Sequence, residues 1–585
     1  MGQSKVIIAN ISGFYGDRMS APQEMLAGGP VDYLTGDYLA ELTMAILYKS
    51  KLKNKELGYA KTFLKQMESI MGPCLDKRVK VVVNAGGLNP SGLAEALEGV
   101  ARTLRLSPKI AYITGDDLMP RISTLREAGA VLTHLDKGIS LKDSGLLPVS
   151  ANAYLGCWGI VEALQKGSDI VVTGRVSDTS VVMGPAAYHF GWGKEDWDHL
   201  AGAAIAGHII ECSGQAAGGN YSYFKEVPTY KNVGFPIAEI SADGSCVITK
   251  HPDTGGLINI GTVTSQLMYE INAPQYITPD VVAHFDTINI SQEAKDRVML
   301  SGIKGTSATS TSKVTVNCMD GFQNAMTFQI VGLDHEEKVA ILKESIVDAL
   351  GGEDHFQELL FHYIPSHQEN PVSNEVAMSQ LKVSVKDGDA QKAGRFFTSK
   401  MIEMALCMVP GVCWSSAPAP AKPRITHFPA LIDKDFISQK VHILGETLHI
   451  DEVKYNGSTE GLPINDGTTT SDFGPTKEAY LGEAFAARSG DKGGNANLGI
   501  WGKCETAYHF LYNYLTVEKV KELLPDTATF EIIRYEFPNL FGLNFYIKGL
   551  LQEGVAASTR IDPQAKTLGE YLRAKKIDLP ISLLS

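Results

Sequence analysis

A chain of 585 residues is too long for one ordinary domain and predicts about two to four. Its 44% hydrophobic and 20% charged residues are ordinary for a globular protein, and 53 basic against 66 acidic residues, a formal charge of -13, argue against a nucleic-acid-binding surface. The opening MGQSKVIIANIS carries an apolar run too short for a signal-peptide core, and no uninterrupted apolar run approaches the ~20 residues that span a bilayer. These totals predict a cytoplasmic protein with a small-molecule partner and no membrane contact, and they leave homo-oligomerisation open. The eight cysteines lack any CxxC pair, which reads as reduced thiols rather than zinc ligands or disulfides.

Val6 to Ile11 predicts a buried strand ending in Ser12-Gly13, and Val31 to Leu34 predicts another ending in Thr35-Gly36-Asp37. Asp37 reads as the N-cap of a helix over 38–48, with Glu41 on the same face. A helix over 57–71 precedes a β-branched strand over 79–83, which ends in Asn84-Ala85-Gly86-Gly87; Ser91 reads as the cap of the next helix. Ile110 to Ile113 is a strand ending in Thr114-Gly115-Asp116-Asp117. Further on, 131–135 predicts a strand, 152–165 a helix, and 170–172 a strand ending in Thr173-Gly174-Arg175-Val176-Ser177-Asp178. Such alternation predicts an α/β fold, an open three-layer arrangement with a mainly parallel sheet. In a parallel sheet the strand-to-helix loops share one edge, so Asp17, Arg18, Asp37, Asn84, Asp116, Asp117, Arg175 and Asp178 could converge.

From Glu211 to Tyr221 the chain is rich in small residues, and 213–435 reads as an α+β extension, with strands over 313–318, 325–331 and 381–385 and helices over 335–350 and 394–409. Alternating Pro and Ala at 417–423 suggests an extended connector. A polar loop over 456–475 and a compact unit with a loop over 488–495 then suggest a ferredoxin-like α+β domain. The expected division is 1–435 for the main domain, with βα repeats over 1–212, and 436–585 for the C-terminal domain.

Several ordered blocks resemble one family: S-G-F-Y-G-D-R, G-P-V-D-Y-L-T-G-D-Y, N-A-G-G-L-N-P, T-G-D-D-L and T-G-R-V-S-D-T, then Gln266 to Glu270 and Pro279-Asp280-Val281. Near the C-terminus, Arg488 to Asn495, Pro538-Asn539-Leu540 and Leu543-Asn544-Phe545 extend the likeness. Through these the chain resembles the acyclic terpene utilisation (AtuA) family with its appended ferredoxin-fold domain. The resemblance implies a role in catabolism of acyclic terpenoids through branched acyl-CoA intermediates, including cleavage of a 3-hydroxy-3-branched glutaryl-CoA type compound.

Asp116-Asp117 could bind a divalent metal, hold hydroxyls or serve as a base, and could equally be a helix cap beside a solvated acid. Asp17 and Asp178 are the other candidate catalytic acids. Arg18 and Arg175 suit a substrate carboxylate, although ion pairs with neighbouring acids would also explain them. Asn84 and Asn220 are candidate polar contacts. In 488–495, Asp491, Lys492 and Asn495 with three glycines could form an anion nest for a phosphate or CoA tail, or simply a tight connection between strands. His134, His189, His208 and His251 show no metal spacing, and neither GxSxG nor a strand-linked GxGxxG occurs. Taken with these residues, the resemblance implies a C–C lyase or hydro-lyase acting on an acyl-CoA or carboxylate, with CoA as part of the substrate. The alternatives are a non-catalytic binding or scaffold subunit and an ester or amide hydrolase.

Overall fold

The computed structural model describes residues 4–415, 417–452, 455, 457 and 472–584, without the side chain of Glu41. Most of the expected loop over 456–475, and the Glu41 carboxylate expected beside Asp37, therefore lie outside the described residues. The described chain forms two compact units. One comprises 1–145, 149–317 and 427–585, and the other 146–148 and 318–426.

In the first unit the parallel centre of the sheet is the predicted one. Strands Lys5–Ser12, Tyr33–Gly36, Lys80–Val83, Ile170–Thr173 and Ile110–Thr114 lie side by side in that order, all parallel. Their runs of Val and Ile are buried on both faces, as a helix-covered parallel sheet requires. Val81 and Val83 pack with Phe63, Met67, Leu93 and Leu97 of helices Lys61–Lys77 and Pro90–Leu104. Because side chains alternate along a strand, Val82 points the other way, toward the face that helix Ser180–Phe190 covers. The register sets Gly36 beside Val83, Val83 beside Val172 and Ile113 beside Thr173, so the strands end level and their loops share one edge.

The flanks are antiparallel, making the sheet mixed. Pro236–Ser241, Cys246–Lys250, Arg297–Ser301 and Asn289–Ala294 extend one side, and Ser438–Ile443 with Glu446–Asp451 the other. The last two follow the expected boundary at 435 and still join this sheet. Among the described residues each flank ends in a strand with a single neighbour, an open sheet. The C-terminal region adds an antiparallel sheet in the order Ala486–Lys492, Asn495–Trp501, Gly542–Ile547, Ile532–Phe537, closed over a core of Phe485, Leu498, Phe510, Leu511 and Phe545.

The second unit is α+β. Strands Glu358–Ile364, Ser379–Asp387, the part of Thr311–Ile330 from residue 318 onward, and Val412–Trp414 carry Phe328, Leu381, Val383 and Val385, which pack on Leu342, Ile346, Phe397 and Met401 of two helices.

Local expectations fail where a polar side chain or a distant strand outweighs local propensity. Asp37 is no N-cap: the helix spans Glu41–Lys53 after Ala40, and the Asp37 carboxylate instead accepts from Leu39 N and from Asn84. Asn89, not Ser91, caps Pro90–Leu104 by accepting from Gly92 N. Residues 147–153 form a strand, leaving the predicted helix only Trp158–Gln165. The run 131–135 makes isolated bridges, Thr133 to Ser140 and His134 to Ala430, and no ladder. The predicted strands over 313–318 and 325–331 are one, Thr311–Ile330. The predicted loop 488–495 is two strands joined at Gly493-Gly494.

Candidate functional site

Two strand-end loops are stitched together beneath the site. Asp116 Oδ2 accepts from Arg175 N at 2.9 Å and from Asn152 Nδ2 at 2.8 Å, joining the Thr-Gly-Asp turn at 114–116 to the Thr-Gly-Arg turn at 173–175. Gly115 has φ +120°, and a Cβ on Gly174 would lie 2.5 Å from the Asp116 carboxylate, so both turns need glycine there. Asn84 joins another pair of loops, accepting from Tyr38 N at 2.7 Å and donating to Asp37 Oδ1 at 2.5 Å.

Above this floor lies a cavity of about 1310 Å³ within the first unit. Asp17, Arg18, Arg175, Asp178, Asp491, Lys492 and Asn495, all candidates from the sequence, line it. Asp17 shapes its own loop, accepting from Gly13 N at 2.8 Å and Arg18 N at 2.7 Å. Arg18 donates to Val233 O at 2.7 Å, pairs with Glu24 at 3.0 Å and covers the Phe235 ring. Arg175 is 2% exposed; it pairs with Asp178 at 2.7 Å and lies 4.1 Å over the Tyr154 ring. Asn495 donates to Asp136 at 2.9 Å and to the Tyr546 hydroxyl at 2.6 Å, and accepts from Gly549 N.

The remaining candidates lie elsewhere. Asn84 sits behind Asp37, outside the lining. Asp116 is buried beneath the floor, and Asp117 accepts from Met119 N at 3.0 Å, a local side-chain-to-backbone turn ahead of a short 3-10 helix. The two carboxylates serve different backbone partners, so they do not present a joint metal site. Among the described residues no three His, Cys, Asp or Glu side chains are arranged to hold a metal ion. Asn220 lines a separate, smaller cavity. In the segment 488–495, expected as an anion nest, Gly490, Asp491 and Lys492 pair with Asn497, Ala496 and Asn495 in the sheet.

At the acidic centre of the cavity, sequence reasoning named Asp37 among the converging residues but missed Glu211. Asp37 and Glu211 both line it, each 8% exposed. Burial holds the Glu211 carboxyl well above the usual carboxylate range, and Asp178 and Glu270 push the same way against Lys492 and Arg175. Asp37 is raised for the same first reason, with Asp178 and Glu211 adding to it and Arg175 opposing. Glu211 Oε1 lies 3.3 Å from His208 Nδ1, while Oε2 is buried with no hydrogen-bond partner. His208 Nε2 meets the Gln266 carbonyl at 3.0 Å, an arrangement that leaves the Nδ1 lone pair toward Glu211. Burial lowers the His208 pKa to about 4, with Lys492 adding to the effect.

The C-terminal sheet helps build this centre. Asn497 accepts from Glu270 N at 2.9 Å and donates to Met268 O at 2.8 Å, and Asn544 donates to Asn272 O at 2.9 Å. The loop bearing Tyr269 and Glu270 is thereby pinned to the same sheet that delivers Lys492. The only sequence signals for these residues were Glu211 opening the small-residue loop and Glu270 closing the Q-L-M-Y-E block.

A mixed α/β sheet with polar loops at its strand ends, and an α+β domain completing a charged cavity, defines an α/β protein with a large cavity at the strand-end edge, where folds of this class commonly bind small molecules. Residues 6–443 match the model of the acyclic terpene utilisation family protein AtuA, and residues 480–578 match the AtuA ferredoxin-like domain. The chain belongs to the AtuA family, and that membership implies involvement in acyclic terpene utilisation. Among curated proteins no match is found. No helix among the described residues is long and apolar enough to cross a membrane.

Proposed function

We propose that the chain is an enzyme that cleaves a carbon–carbon bond in a branched 3-hydroxy acid, free or as its CoA thioester, formed during acyclic terpenoid breakdown. The observation that carries this reading is a protonatable buried carboxyl, Glu211, beside an ion-paired carboxylate, Asp178, in one cavity. Two carboxyl groups whose environments differ in this way divide acid and base work between them. The volume supports a carrier-bound substrate, since small-molecule pockets usually run to roughly 300–1,000 Å³.

In this reading Asp178 takes the proton of the 3-hydroxyl group. The C2–C3 bond breaks, leaving a ketone at C3 and an enolate at C2. Arg175 and Lys492 offset the charge on the enolate oxygen, and Glu211 delivers its proton to C2. Transfer of the proton from Asp178 to Glu211 then resets the pair. A hydro-lyase would use the same acid to expel the hydroxyl as water and would keep the carbon chain intact.

Product analysis after incubating the protein with a branched 3-hydroxyacyl-CoA, and separately with the free acid, tests the assignment. The expected products are a ketone and an acetyl unit, without solvent oxygen incorporated by hydrolysis. Intact carbon skeletons in the product would overturn the lyase assignment, and neither turnover nor binding of either compound would overturn the substrate class.

A further inference from the structure

We propose that Arg488 and Lys566 form a phosphate-binding subsite in the smaller cavity, which Lys566 shares with the larger one. Arg488 is 3% exposed, on strand Ala486–Lys492. Its guanidinium donates through one terminal nitrogen to Gln215 Oε1 and lies 4.0 Å over the Tyr269 ring, and its Nε is buried without a hydrogen-bond partner. Among the described residues it makes no ion pair with a carboxylate. A buried unpaired charge is costly, and proteins that hold one supply a counter-charge. Here that counter-charge is a ligand.

The surroundings fit an anion. The smaller cavity has a volume of about 270 Å³, room for a phosphate group and its water. Lys566 lines it as well, with its ammonium group 5.9 Å from the Tyr269 ring centre and no carboxylate partner among the described residues. The one acid on the wall, Glu570, is already neutralised by Arg573 at 2.7 and 2.8 Å. Ser222 donates to Ala487 O at 2.7 Å, and Ser489 accepts from Gly569 N at 2.9 Å, so both have protein partners. The uncommitted donors are thus cationic, and a forked guanidinium suits phosphate oxygens. Gln215, which holds Arg488, lines the larger cavity, so a phosphate bound here sits beside the proposed reaction chamber. Both the tail of a CoA thioester and the free ion present this chemistry, and the two arms of the test separate them.

The site stands on its own geometry and deepens the reading of the larger cavity by giving its substrate a phosphate-bearing carrier. The test is the melting temperature of the full chain in phosphate-free buffer against added inorganic phosphate, CoA and pantetheine. The wild type is expected to gain several degrees with CoA and none with pantetheine, and an equal gain with phosphate assigns the site to the free ion. Arg488→Met, which removes an unpaired charge, is expected to melt no lower than wild type without ligand and to lose the gain. Lys566→Met, at a partly exposed position, is expected to weaken CoA or phosphate binding at least tenfold by calorimetry. No gain for wild type with either anion, or full gain in both variants, overturns the proposal. The binding is read without turnover, so Glu211→Gln is expected to keep it; the subsite and the lyase reading therefore fail separately.

Discussion

Asp116 and Glu211 are both buried acids near the strand-end edge, and they differ in what they face. The Asp116 carboxylate is turned into protein, where Asn152 and the Arg175 backbone complete it. Glu211 lines the cavity, with one oxygen against His208 and the other without a partner. Burial raises both carboxyls, Asp116 to about 7. A displaced pKa alone therefore does not mark a catalytic group: at Asp116 it accompanies a structural clasp, and at Glu211 it accompanies a place on the cavity wall.

The comparison breaks most sharply on activity. Glu211→Gln keeps the shape of the side chain and removes the proton, so kcat on a branched 3-hydroxyacyl-CoA is expected to fall by roughly 10²–10⁴-fold with KM little changed. Asp116→Asn is expected to leave kcat within about threefold, and an equal loss in both variants would erase the distinction drawn between them. Stability against pH sharpens it next. Asp116 binds its proton more tightly in the folded chain than in the unfolded one. The stability it contributes is full below the unfolded carboxylate's pKa and is lost as pH rises through about 7. Asp116→Asn is expected to remove that loss, on the order of a few kcal/mol between pH 5 and pH 8 by chemical denaturation. The smallest effect belongs to the neighbour: Asp117→Ala removes one exposed hydrogen-bond acceptor from Met119 N and is expected to cost about 1 kcal/mol or less, with activity unchanged. A larger kinetic effect at Asp117 would return it to the reacting groups.

Legibility in the sequence followed the range of the interaction. The five central strands and the shared edge of their loops were readable, because β-branched runs punctuated by Gly and Asp encode them locally. Asp17, Arg18, Arg175 and Asp178 were readable for the same reason. Asp37 was misread as a helix cap because its real partner, Asn84, lies 47 residues away. The segment 488–495 was misread as a glycine loop because its pairing, Arg488 to Gly499 through Lys492 to Asn495, depends on a hairpin twist around only two glycines. Glu211 carried no motif at all, since a lone acid at a helix end is ordinary.

By itself the sequence determined the family, the parallel centre of the sheet and the edge on which its polar loops gather, because periodicity and turn residues act over a few positions. Only the tertiary structure decided which of those polar groups meet the cavity. Burial, hydrogen-bond satisfaction and the charge around each acid depend on residues brought together from 13 to 566. The same holds for Arg488, whose lack of a carboxylate partner among the described residues is visible only once its neighbours are in place.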